Sequence, residues 1–164
     1  MTMLHEAIEP LWAELRGYAQ RLVADLAPDE MVSQPVAGVV MNHPAWVLSH
    51  LGAYAPVIEG LLVGEPVEDP LDHPFGRKSA PVAEVSAYAP RDELIDAFIH
   101  GYDRIVDALA MLPPERLTEP TPIDRWVGRF PTLGHLPVQF VIKHNAHHLG
   151  QVSAWRRAGG RRPV

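Results

Sequence analysis

From Leu133 to Arg157 the chain reads LGHLPVQFVIKHNAHHLGQVSAWRR. Within it Phe140, His144, His148, Gln151 and Trp155 recur at steps of three and four residues, which puts them on one line of a helix. Gly159 and Gly160 follow as its terminator. His144 and His148, spaced i and i+4, point the same way one turn apart and can take adjacent positions on one ion. Spacing alone is a common accident. It gains weight because the pair lies on the apolar stripe, where an imidazole removed from water must find partners. Two readings stay open, a metal site and a pair of satisfied core histidines. His147 is also spaced from His144 for a shared ligand, but it sits one residue off the stripe, where it would meet solvent or a partner behind the ligands.

Moving outward, a second helix opens at Asn42, a capping residue, with Pro44 in the first turn where its missing N–H costs nothing. Its stripe runs Val47, His50, Tyr54, Ile58 and Leu61, and Gly64 with Pro66 ends it. His50 therefore faces inward, and three histidines from two helices can converge while leaving coordination positions open. A first helix carries Leu4, Ile8, Leu11, Leu15, Tyr18, Leu22 and Leu26 and stops before Pro28. A third starts near Pro90 to Asp92 and presents Leu94, Ile95, Phe98, Tyr102, Ile105, Leu109 and Leu112 before Pro113-Pro114. The pattern predicts an all-α four-helix bundle, a single domain over 1–164. Two long proline-bearing connections, 65–89 and 113–132, are either crossovers or segments folded over a site.

Composition narrows the chemistry. There is no cysteine, so disulfides, thiolate zinc sites and cysteine nucleophiles are excluded and any metal must be held by imidazole or carboxylate. The chain holds 20 Asp plus Glu against 14 Lys plus Arg, a net charge of -6, which argues against non-specific attraction to nucleic acid or anionic lipid. Met1 to Glu9 has acidic residues and no basic cluster before an apolar run, unlike a signal peptide. No uncharged apolar stretch is expected to approach the roughly 20 residues that span a bilayer. The expectation is a soluble cytoplasmic protein.

The segment Trp46-Val-Leu-Ser-His50-Leu, followed some ninety residues later by His144-Asn-Ala-His-His148-Leu-Gly-Gln151, resembles the DinB-like (YfiT-like) superfamily of metalloenzymes. The resemblance covers nearly the whole chain. It implies an up-down-down-up bundle, a homodimer, and a metal held by His50, His144 and His148, with His147 as the bystander of the doublet and Gln151 at its familiar place. It does not specify a reaction: relatives include bacillithiol S-transferases and mycothiol-dependent maleylpyruvate isomerases.

Other constellations fall away. Di-iron carboxylate bundles need Glu-x-x-His on two helices, and no histidine here has a glutamate three residues before it. No glycine-rich phosphate loop, Gly-x-Ser-x-Gly or His-Glu-x-x-His occurs. Glu93, Asp96, His100, Asp103, Arg104 and Asp107 lie largely off the apolar line of the third helix and read as a solvated face. His5, His43, His73, His100 and His135 have no ligand-like partners, although His43, two turns from His50, could reach a cavity mouth. Arg156, Arg157, Arg161 and Arg162 suit a helix C-terminus and solubility, or could attract carboxylates of a small-molecule thiol. Trp46 and Trp155 are either pocket walls or core. The expected cofactor is one divalent ion, with zinc or nickel suiting neutral imidazoles best and iron or manganese less well. The expected partner is a small-molecule substrate, such as a low-molecular-weight thiol, and the competing function is a non-catalytic bundle stabilised by its metal or serving as a binding module.

Overall fold

A computed structural model describes residues 2–164. It is all-helical, with no β-strand among the described residues beyond an isolated bridge between Pro120 and Thr132. Helix α1 spans Met3–Val23, α2 Pro44–Val63 and α3 Arg91–Met111. A short helix, α4 (Asp124–Val127), precedes a closing rod made of α5 (His135–Pro137), a π-helical segment (Val138–His144) and α6 (Asn145–Ala158), with right-handed helical backbone at every junction. α3 packs against α2 and α1, and the rod packs against α1 and α2, so the four long elements form a closed ring of neighbours.

The stripes bury as read, with informative exceptions. In α1 the inward line is Ile8, Trp12, Ala19 and Leu22, whereas Leu11 is 46% exposed. An indole buries more apolar surface than Leu11 and its N–H finds a partner, donating to Asp103 over 2.7 Å. Asp103 is thereby drawn out of the solvated face of α3. The cap of α2 is His43, not Asn42: its Nδ1 accepts the Trp46 N–H over 3.2 Å. Gly64 ends α2 as read, at φ 87°, its N–H bonded to Gly60 O.

α2 bears on the membrane expectation, although Glu59 interrupts its apolar run. Its 20 residues include a window of mean hydropathy 1.3, long and apolar enough by composition to cross a membrane. Yet 67% of that window is buried against the protein itself. Leu48, Leu51, Ile58 and Leu62 are fully buried, and the Leu51 carbonyl accepts the Tyr102 hydroxyl proton over 3.2 Å. That apolar surface is consumed by helix packing.

The arginine tail resolves into a structural clamp. Arg156 is 4% exposed and donates to the Leu22 carbonyl over 2.9 Å while pairing with Asp25. Arg161 pairs with Asp25 and Glu30. The guanidiniums beside Asp25 hold its carboxyl below the usual range. Two of the four arginines thus tie the end of the rod to the end of α1.

Candidate metal centre

α2 and the rod bring His50, His144 and His148 together: one ring nitrogen from each lies within 4.8 Å of the others. The Nε2 atoms of His50 and His144 are 3.2 Å apart. Two nitrogens bound to one tetrahedral zinc at about 2.0–2.1 Å would lie about 3.3–3.4 Å from each other, so this pair already has the separation of co-ligands. Among the described residues no other histidine, aspartate or glutamate joins this cluster.

The protons on two of the rings are fixed from behind. His50 Nδ1 donates to the carbonyl of Phe75 over 2.7 Å, leaving a lone pair on Nε2. His148 Nδ1 donates to Gln151 Oε1 over 2.9 Å, with the same consequence. Gln151 is itself held, since Oε1 also accepts from Asn42 Nδ2 over 3.0 Å and Nε2 donates to His147 Nε2 over 3.1 Å. Partners of this kind orient metal-ligating imidazoles. His144 differs: its Nδ1 is buried with no partner and its Nε2 faces the His50 lone pair. A cation shared by the two Nε2 atoms would satisfy that contact.

Burial keeps the three rings neutral. It lowers the His144 pKa to about 2, reinforced by His148, His50 and His147, and the His148 pKa to about 4, with His50 adding to the effect. His50 is lowered by the same desolvation. Neutral imidazoles beside one another repel protons but suit a divalent ion.

The long connections fold over this cluster. Segment 65–89 runs antiparallel along α2: His43 Nε2 donates to Val82 O (2.9 Å), Trp46 Nε1 to Ser79 Oγ (3.1 Å) and His50 Nδ1 to Phe75 O (2.7 Å). His43 is therefore a fully buried cap and loop clamp and never reaches the cavity. Segment 113–132 contributes α4 and places Arg125, Trp126 and Arg129 at the site. Together they enclose a cavity of about 450 Å³ with the three histidines in its wall. Trp46 stacks on His50 with centroids 4.8 Å apart, and Tyr54 stacks on Phe140 at 5.6 Å and meets His144 edge-on at 5.2 Å. Trp46 is thus a cavity wall as well as core. Trp155 is core alone, its Nε1 donating to Ser33 O over 2.8 Å.

The Phe75 carbonyl and the arginines of the cavity were not read from sequence. A backbone acceptor 25 residues away leaves no side-chain signal, and the paths of irregular segments have no periodicity to betray them. Of the histidines set aside, His5 is buried in the first turn of α1, while His73 and His135 serve turns and His100 bonds the Asp96 carbonyl.

No curated protein and no solved structure matched the chain. The family model described as the DinB superfamily matches residues 11–152, which include all three clustered histidines, the whole of α2 and α3, and the greater part of α1 and the closing rod. By that match, the chain belongs to the DinB superfamily.

Proposed function

We propose that this protein is a metal-dependent enzyme acting on a small molecule, with a divalent ion held by Nε2 of His50, His144 and His148. The observation that carries the reading is the convergence of three neutral imidazoles, two of them with Nδ1 committed to a fixed acceptor, in the wall of a 450 Å³ cavity. A structural ion would normally have four protein ligands, and the cluster offers three, which favours catalysis over a metal that only stabilises the fold. Zinc or nickel suits this donor set best, iron or manganese less well.

When bound, such an ion supplies Lewis acidity that makes a water or a thiol a competent nucleophile near neutral pH, so thiol transfer and hydrolysis are both open to this site. The chain's own residues do the rest. Phe75 O and Gln151 fix the ligand tautomers, Trp46, Tyr54 and Phe140 exclude water from one side, and Tyr54, whose pKa burial raises, keeps its phenolic proton at the cavity wall. In keeping with the family, the four long helices are assigned an up-down-down-up order within a single domain over 1–164, and the protein is taken to be a cytoplasmic homodimer.

Elemental analysis of the purified protein, followed by a screen of low-molecular-weight thiols with electrophiles and of hydrolysable esters and amides, tests the reading. About one ion per chain and metal-dependent turnover are expected. A metal-free protein after growth with zinc and nickel, or a coordination sphere closed by protein atoms, would refute it.

A further inference from the structure

Three arginines, Arg77 from segment 65–89 and Arg125 and Arg129 from segment 113–132, line the same cavity as the histidines, in a chain whose net charge is -6. No aspartate or glutamate lines it. Arg125 is paired with Asp69, but Arg77 and Arg129 form no ion pair among the described residues, so two positive charges face the cavity without compensation. Arg125 lies over the Trp126 ring at 5.0 Å and Arg129 over Phe130 at 5.5 Å, so the guanidiniums are braced against aromatic faces.

We infer that this cavity selects a small organic carboxylate, whose anionic end is held by Arg77 and Arg129, with Arg125 beside them, while its body lies among the aromatic walls towards the histidines. A guanidinium is a planar fork that matches a carboxylate, and Arg77 and Arg129 stand exposed at the cavity's edge where an anion can reach them. The aromatic lining calls for an organic body in place of a bare inorganic ion. The inference rests on the metal-enzyme reading only for what happens at the other end of the molecule.

Benzoate, benzamide and phenyl phosphate share one ring and differ in headgroup, so their binding to the full-length protein, metal-loaded and chelator-treated, isolates recognition of the anion. Dissociation constants from NMR titration should be at least tenfold lower for benzoate than for benzamide. Arg77→Gln/Arg129→Gln should weaken benzoate tenfold or more, leave benzamide unchanged and shrink the salt dependence, whereas Arg157→Gln, an exposed arginine outside the cavity, should change nothing. Equal binding of benzoate and benzamide to the native chain overturns the inference without any variant, as does an unaltered benzoate affinity in the folded double variant. Phenyl phosphate bound tenfold more tightly than benzoate overturns it in favour of a phosphate. Metal content measured on the same samples separates the two readings: arginine-dependent benzoate binding in a protein that takes up no metal would leave this inference standing and remove the proposed function.

Discussion

Gln151 accepts the Nδ1 proton of His148 over 2.9 Å, so a side chain three residues further along the same helix decides which His148 nitrogen faces His50 and His144. The amide is held at both ends: its oxygen also accepts from Asn42, and one of its two N–H groups donates to His147.

Gln151→Ala should therefore weaken zinc binding by about 10- to 100-fold while helicity stays native, because it removes an orienting partner and no ligand. Competition against a chromophoric chelator measures it. His148→Ala should lose more, beyond about 100-fold, since a ligand itself disappears; stoichiometric metal retained there would shift the ligand role to His147.

Gly76 stands where segment 65–89 doubles back, and a Cβ on it would lie 2.0 Å from the Pro70 carbonyl oxygen. Gly76→Ala must displace the backbone next to Phe75, whose carbonyl holds His50 at 2.7 Å. Zinc affinity is expected to fall about tenfold with all three histidines intact. An unchanged affinity would show that the loop does not orient His50.

The buried rings give the metal-free protein a defined pH response. Folded-state pKa values of about 4 for His148 and about 2 for His144 lie below the ordinary 6.5, so the unfolded chain binds more protons and stability falls as pH drops below about 6.5. His50 and His43 act in the same direction. Asp25 and Asp69, lowered by their arginines, add a loss only below their ordinary value of 3.8. Urea midpoints of chelator-treated protein should decline steadily between pH 6.5 and 4, and His144→Gln should flatten that slope. A pH-independent midpoint over this window would contradict the buried neutral assignment.

Arg156→Ala should destabilise the fold by about 2–3 kcal/mol, because it strips the Leu22 carbonyl and Asp25 of a buried donor. Arg162→Ala, on an exposed residue, should stay within about 0.5 kcal/mol. Urea denaturation of the two variants side by side checks the contrast.

What the sequence made legible follows from which residues sit on regular elements. His50, His144 and His148 could be placed because Val47, Tyr54, Phe140 and Trp155 fix the inward phase of their helices. Leu11 misled because leucine and tryptophan at neighbouring positions both suit an apolar stripe, and only the Asp103 partner decides for Trp12. Asn42 looked like the better cap, yet its amide goes to Gln151 while His43 closes the helix. Arg77 and Arg129 lay on segments with no periodicity, so their convergence became visible only once the loops had a path.

The π-helical turns at Val138–His144 make the closing rod a two-part object. An α-helix advances about 100° per residue and each wide turn takes up about one residue more, so letting 138–144 rewind as α at its full length would swing everything after it by roughly that angle relative to α5. Either the rings of His144 and His148 would turn away from His50, or Leu136 would leave the interior. The wide turns thus behave as a built-in angular offset that lets both halves of one rod be correctly aimed at once. Within this short stretch, the winding of the backbone matters as much as residue identity.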